Sequence, residues 1–382
     1  VKNNISRCQI TDRKVALMVV LYPLEGYGAQ FSVLQLLSGL DRNTFDISIV
    51  VRRAQGAALP SIPAEIEIID LNAERGISFF KKLAGLLKKR KPDLIWSAMY
   101  FNNIITQLAV MLTGKKSRVI LSEHMNLTEE LKQTGGLRAR MFKALMRLCY
   151  PRADAVIAVS RGLARNVAAE LGVPPGKIRA IYNAVDLAKV RLKLKEDAPE
   201  VIWDDVPTFV TVGRLHGQKD YPALIKAVAL VKGPLKLLII GEGYLRNELI
   251  ELCGELGVEK SVDFLGYQEN PYKFMARARA LVLSSHFEGF GRVIVEAMAC
   301  GRPVIATDCA YGPAEIISDG VNGLLVPVDD SAALARAMET LAADSGLAEQ
   351  MGIAARRRSA DFSVEYAAAN YTKLFLSLSL PL

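Results

Sequence analysis

The sequence predicts an α/β protein built from two doubly wound parallel-sheet domains, and three observations carry the prediction. Continuous apolar, β-rich runs alternate with helical patterns along the whole chain, which is how strands covered by helices on both faces read. The alternation occurs twice, on either side of a polar stretch that holds prolines and loses periodicity. The 382 residues exceed what one ordinary core needs and suit two.

In chain order, residues 14–21 read as the first buried strand, closed by a Pro/Gly loop at 22–30 that holds Gly26 and Gly28. A helix follows, with Phe31, Leu34, Leu37 and Leu40 at helical spacing. Further strands are expected at 45–51, 66–71, 93–98, 118–122, 155–160 and 177–182. Charge, prolines and lost periodicity coincide within 187–207, which gives a first domain at 1–190, a linker at 191–207 and a second domain at 208–362. Strands of the second domain are expected at 208–212, 235–241, 262–265, 280–284, 303–307 and 323–326. The tail 363–382 reads as a helix returning to the first domain. Ligands of such sheets bind outside the carboxyl ends of the strands, so two facing sheets direct the search to the cleft between them.

Composition narrows the class further. Hydrophobic residues make up 51% and charged residues 23%, so the chain can bury its cores and is not disordered. Five scattered cysteines (Cys8, Cys149, Cys253, Cys300, Cys309) form no C-x-x-C pair, which argues against a disulfide framework or cysteine-zinc site and for the cytoplasm. No apolar run approaches the ~20 residues that span a bilayer. Val1 is not an initiator, so the first dozen residues need not be native. The net charge of +8 divides unevenly: residues 1–190 hold 28 Lys+Arg and 15 Asp+Glu, residues 191–382 hold 20 and 25. A basic front half joined to an acidic back half predicts an anionic partner for the front half alone.

Two loops carry chemistry. After the strand 208–212 comes Gly213-Arg214-Leu215-His216-Gly217-Gln218-Lys219, where Arg214 offers a bidentate fork and Lys219 a point charge, a combination suited to a diphosphate. After the strand 280–284 comes Ser285-His286-Phe287-Glu288-Gly289-Phe290-Gly291, then a helix from Arg292 through Cys300 that holds Glu296. Gly289 and Gly291 let backbone N–H groups approach a ligand at a helix N-terminus. A carboxylate beside a phosphate site is electrostatically costly unless it accepts from hydroxyls, which sugars and ribose supply. Either glutamate alone reads better as a capping or surface carboxylate.

Together, Glu288 and Glu296 within Glu-Gly-Phe-Gly-Arg-Val-Ile-Val-Glu-Ala-Met-Ala-Cys-Gly-Arg-Pro-Val-Ile-Ala-Thr-Asp resemble the signature of the retaining glycosyltransferases of family 4, which have the GT-B fold. The segment Val-Gly-Arg-Leu through Lys219, Asn183-Ala-Val-Asp186, and the run from Ile317 to Val326 match the same family, so the resemblance covers nearly the whole back domain. It implies that Arg214 and Lys219 grip a nucleotide diphosphate and stabilise the departing charge. It likewise implies that Glu288 meets donor sugar hydroxyls, Glu296 the ribose, and backbone near Gly266 and Tyr267 the base. Gly213, Gly289, Phe290 and Gly291 belong to the donor loops by the same resemblance. Gly26 and Gly28 occupy the family's glycine-rich position after the first strand, departing from the commoner Gly-Gly pair because Tyr27 stands between them. His124, after the strand 118–122, matches a family histidine near the reacting sugar. His216 and His286 are assigned no chemistry.

The sequence holds no Asp-x-Asp, the usual carboxylate pair for a metal on a sugar nucleotide. Transfer with no metal or other cofactor and with retention is therefore expected, cations and helix dipoles doing the electrostatic work. The Tyr311-Gly-Pro-Ala-Glu315 segment resembles bacterial transferases of surface-polysaccharide or lipid-linked glycan assembly, which favours a UDP-linked hexose or N-acetylhexosamine donor and a glycan or lipid-linked acceptor. The stretches 79–91 and 137–150 read as basic amphipathic helices suited to an anionic membrane surface, predicting a peripheral protein on the cytoplasmic face of the inner membrane. Any helix on a parallel sheet shows the same apolar face and solvated lysines. Another sugar-nucleotide enzyme of the same fold, an epimerase or phosphorylase, is the nearest rival. A dehydrogenase is disfavoured because neither Gly-x-Gly loop has its third glycine. A nucleic-acid-binding protein would want stacking aromatics among the basic residues, and these are few.

Overall fold

The computed structural model describes residues 13–379 except 23, 26, 27 and 115. Its first sheet contains β1 (Val15–Val20), β2 (Phe45–Val51), β3 (Glu67–Asp70), β4 (Leu94–Ala98), β5 (Arg118–Glu123), β6 (Ala155–Ala158) and β7 (Ile178–Ala180). These lie in the order β3-β2-β1-β4-β5-β6-β7, all parallel, with Val19 of β1 opposite Ile49 on one side and Trp96 on the other. The second sheet contains β8 (Thr208–Val212), β9 (Lys236–Ile240), β10 (Val262–Gly266), β11 (Ala280–Leu283), β12 (Val304–Thr307) and β13 (Gly323–Val326). Its order, β10-β9-β8-β11-β12-β13, is again parallel throughout. Parallel strands need helical crossovers and are covered on both faces, which is why β4, β6, β11 and β12 are buried along their whole length.

The polar stretch joining the sheets is more ordered than its composition predicts. Leu187–Lys193 is a helix, capped by the Asp186 carboxylate accepting from the Lys189 N–H at 2.8 Å. Its Leu187 and Val190 are buried, so two apolar residues and a cap suffice where longer periodicity is missing. The last helix, Val364–Ser379, packs on helix Gly28–Gly39 and on β4. There Tyr371 and Phe375 set their rings 5.1 and 5.9 Å from Trp96, closing the core of the first sheet.

The two halves touch directly. Phe290, Tyr182 and Phe362 form a cluster with centroids 5.3–5.6 Å apart, drawing the motif loop, the end of the first sheet and the returning chain into one core. The Glu315 carboxylate accepts from the Arg161 and Gly162 N–H groups, both at 2.8 Å, and from the Tyr182 hydroxyl at 3.0 Å. A carboxylate of the second half thus caps helix Arg161–Leu171 of the first.

Candidate active site

Each sheet reverses its strand order once, between β1 and β4 and between β8 and β11, and a crevice at the carboxyl ends is expected at each reversal. The two chemistry-bearing loops leave β8 and β11, so both border the same crevice. They are tied together: the His286 N–H donates to Gln218 O at 2.9 Å, Gln218 Nε2 to Phe287 O at 2.9 Å, and Ser284 Oγ to Lys219 O at 2.7 Å.

This lacing brings Lys219 to Glu288. Lys219 Nζ lies 2.5 Å from Glu288 Oε1, which also accepts from Ser285 Oγ at 2.8 Å. Both side chains are largely buried, 17% and 9% exposed, so each charge depends on the other for its solvation. An ammonium carries three N–H donors and this contact uses one.

Arg214 borders a cleft of about 640 Å³ with Met125, His216, Gln218, Tyr244, His286 and Phe287. Met125 comes from the first half and the others from the second, so the cleft lies between the sheets. The Gly213 N–H donates to Ile240 O at 3.0 Å, and the Gly241 N–H donates to Gly266 O at 2.8 Å. The ends of β8, β9 and β10 are thereby held side by side. Gly266 ends β10, and Tyr267 beyond it is exposed.

The backbone of His124 lies directly against the Glu288 loop. A Cβ added to Gly289 would stand 2.1 Å from the His124 carbonyl oxygen, so only glycine permits the two loops this approach. The His124 ring is buried, with Nε2 3.2 Å from Ser122 Oγ and Nδ1 3.2 Å from Asn183 Oδ1. Burial pushes its pKa down to about 4, although Asn183 opposes this, so the imidazole is neutral near pH 7.

Other residues read from the sequence fall differently. The Phe290 side chain is 2% exposed and packs in the cluster with Tyr182 and Phe362, so what this position could offer a donor is its backbone N–H. Glu296 is held by Arg292 Nε at 2.8 Å, one helical turn away, and both side chains are mostly buried. Arg292 Nη1 is buried with no hydrogen-bond partner among the described residues, a donor that the motif did not single out. Gly291 caps that helix with φ 87°. Gly28 is the first residue of its helix rather than part of the preceding loop, and Gly26 lies outside the described residues.

His216 and His286 both line the cleft, although neither was assigned chemistry from sequence. Their position in strand-end loops was visible, but nothing in residue type set them apart. His286 Nδ1 lies 3.0 Å from Asp329 Oδ1 and Nε2 3.6 Å from Asp220 Oδ2. These three offer ligand atoms within 4.8 Å of one another, and Asp220 also caps helix Tyr221–Leu230. The four described cysteines are buried and unbridged, and burial pushes the Cys309 thiol, which lies near Glu288, up to about 12. The basic stretch 79–91 is an amphipathic helix. Phe79, Leu83, Ala84 and Leu87 are buried against the sheet, so helix Gly76–Arg90 offers a surface its lysines but not its apolar face. Helix Gly136–Cys149 leaves Leu137 82%, Met141 51% and Leu148 39% exposed. Among the described residues no helix is long and apolar enough to cross a membrane.

Comparison with known proteins agrees with this geometry. Residues 193–358 match the family model "Glycosyl transferases group 1", and residues 27–189 match "Glycosyltransferase Family 4". A Campylobacter jejuni protein named N-acetylgalactosamine-N,N'-diacetylbacillosaminyl-diphospho-undecaprenol 4-alpha-N-acetylgalactosaminyltransferase is 31% identical over 353 residues, covering 91% of this chain and 95% of its own. A second Campylobacter jejuni protein, a GalNAc-alpha-(1->4)-GalNAc-alpha-(1->3)-diNAcBac-PP-undecaprenol alpha-1,4-N-acetyl-D-galactosaminyltransferase, is 26% identical over 375 residues, 93% of this chain and 96% of its own. The solved structure of Anabaena HepE in complex with UDP-glucose superposes with a TM-score of 0.79 at 21% identity, over 95% of this chain and 99% of that one, which establishes the fold in common.

Proposed function

Since this chain belongs to glycosyltransferase family 4 and is a glycosyltransferase of the GT-B fold, we propose that it moves a hexose or N-acetylhexosamine, with retention and without a metal, from a UDP-linked donor to a hydroxyl of a glycan or lipid-linked acceptor. The observation that carries this reading is the laced pair of loops at the β8/β11 crevice, which sets Lys219 on Glu288 at 2.5 Å and Arg214 at the rim of the cleft.

The reaction breaks the bond between the anomeric carbon and the diphosphate oxygen, and the electron pair leaves with the diphosphate. The acceptor oxygen bonds to the same carbon on the same face, and its proton passes to the departing phosphate oxygen. Arg214 and the two further N–H donors of Lys219 take up the charge that develops on that oxygen. Glu288 keeps the lysine aimed and receives sugar hydroxyls on its remaining lone pairs. Glu296, steadied by Arg292, takes the ribose. The His124 ring has both nitrogens turned to Ser122 and Asn183, so its part is to shape the sugar pocket with its carbonyl against Gly289.

The printed names of the two Campylobacter relatives support an N-acetylhexosamine and an undecaprenyl-diphosphate-linked acceptor. Such an acceptor lives at a membrane, and helix Gly136–Cys149 suits that surface: Leu137, Met141 and Leu148 are exposed on a helix carrying Arg138, Arg140 and Arg147. Peripheral binding at the cytoplasmic face of the inner membrane follows from this reading. Sugar transfer from a panel of UDP- and GDP-linked donors to a polyprenyl-diphosphate glycan, with chelator present, tests it. Product with the donor configuration inverted, or turnover abolished by chelator, would contradict retention or metal independence respectively. An epimerase or phosphorylase is told apart because neither glycosylates an added acceptor.

A further inference from the structure

A cavity of about 970 Å³, larger than the cleft, opens at the opposite end of the second sheet. Its walls are residues that precede β8, β11 and β12, together with helix Ser345–Ser359 and the segment joining the sheets. Six arginines line it (Arg191, Arg277, Arg279, Arg302, Arg356, Arg357) against three carboxylates, Asp204, Asp205 and Glu349. Some of this charge is already paired: Arg277 with Asp197 at 3.0 Å, and Asp204 with Lys236 at 3.6 Å. Among the described residues, no ion pair joins Arg191, Arg279, Arg302, Arg356 or Arg357 to a carboxylate.

Two of the cations, Arg302 and Arg356, are held by backbone carbonyls. Arg302 Nε donates to the Ala276 carbonyl at 2.8 Å, and Arg356 Nη2 reaches the Cys300 carbonyl at 3.4 Å. Arg356 lies over Gly301, whose φ is +77° and whose missing Cβ would stand 2.9 Å from that guanidinium. Gly352 in turn meets the Gly301 carbonyl at 2.3 Å from where its own Cβ would be, which lets helix Ser345–Ser359 press Arg356 onto the turn. The guanidiniums crowd one another. Burial first, then Arg279 and Arg356, holds Arg302 below the ordinary arginine range. Trp203 forms part of the wall, with the Arg277 guanidinium 5.7 Å from its ring.

Six guanidiniums against three carboxylates leave the concavity with an excess of positive charge that an anion would relieve, and guanidinium forks match phosphoryl oxygens bidentately. The volume falls in the range of small-molecule sites rather than that of a single ion. We propose that this cavity binds a phosphate ester carrying two or more negative charges, at a site separate from the donor cleft.

Calorimetric titration with pyrophosphate tests this on the full chain, on R279Q/R356Q and on R214A. The expected result is binding that weakens about tenfold or more in R279Q/R356Q and persists in R214A. Flotation on vesicles containing phosphatidic acid distinguishes the sources. Weakened pyrophosphate binding assigns a soluble ester, whereas loss of vesicle retention alone assigns a lipid headgroup. Thermal melting separates a ligand site from a structural brace: R279Q/R356Q should melt at the same temperature as the parent or higher, and pyrophosphate should raise the melting temperature of the parent and of R214A more than that of R279Q/R356Q. Pyrophosphate and vesicle binding both unchanged in R279Q/R356Q, or pyrophosphate binding that vanishes in R214A, would overturn the proposal.

Discussion

The proposed mechanism rests on Lys219 and Glu288, and their burial makes them interdependent. Lys219→Ala strands a carboxylate in a nearly dry site, and breaking a buried pair from one side costs on the order of 3–5 kcal/mol. Glu288→Gln retains an acceptor for the ammonium and should cost less stability. Both should lower kcat, Lys219→Ala by about 100-fold or more, as for the loss of one preorganised donor to a developing oxyanion. Thermal melts beside single-turnover kinetics check this, and a Lys219→Ala enzyme with ordinary turnover contradicts it. His124 supplies a second prediction at this scale. Its folded pKa near 4 is below the unfolded value near 6.5, so the unfolded chain binds the extra proton first as pH falls. The stability of the neutral buried ring is complete above about pH 6.5 and is lost progressively down to about pH 4, by on the order of 3 kcal/mol. His124→Asn should flatten that part of the profile, measured as denaturation midpoint against pH; an unchanged profile contradicts the assignment.

At the scale of elements, the approach of Gly289 to the His124 carbonyl ties the motif loop to the end of β5. Gly289→Ala sets a Cβ 2.1 Å from that oxygen, so the loops must part. Transfer should fall sharply while each half keeps its own core and the melting temperature moves little, and unchanged transfer contradicts the closed arrangement. Helix Gly136–Cys149 gives a separate prediction. Leu137→Ser with Met141→Ser should weaken flotation on anionic vesicles while sparing hydrolysis of donor in solution. Equal flotation of parent and variant removes this helix from any membrane role. These elements also mark how far the sequence is legible. The strands were readable because parallel sheets bury both faces, so each became an unbroken apolar run. Helix Leu187–Lys193 was missed because a short helix needs only one cap and two buried side chains. The motif names the position of Phe290 without saying which way its side chain turns, so its place in the aromatic cluster is not legible in the sequence. The charge pattern of 79–91 could not reveal that the sheet consumes its apolar face, or that the exposed apolar residues lie on 137–148 instead.

At the scale of the molecule, two similar sheets close on each other through the Phe290 cluster and the Glu315 clamp. None of the three donors to Glu315 is its neighbour in sequence, so nothing local in the chain announces the clamp. Glu315→Gln removes an anion from a helix N-terminus, an interaction worth about 0.3–1 kcal/mol and up to ~2 when partly buried. The ligand-free variant should open, with a larger radius of gyration by solution scattering; an identical radius assigns closure to the aromatic cluster instead.

The central claim is that the β8/β11 crevice is a donor site working through cations alone. The most direct test follows nucleotide release from UDP-glucose, UDP-galactose, their N-acetylamino forms and GDP-mannose, with chelator and without acceptor. The account predicts slow hydrolysis of one UDP-linked sugar, retained in chelator and lost in Arg214→Ala and Glu296→Ala. Release that requires a divalent metal, or that survives in both variants, would contradict it.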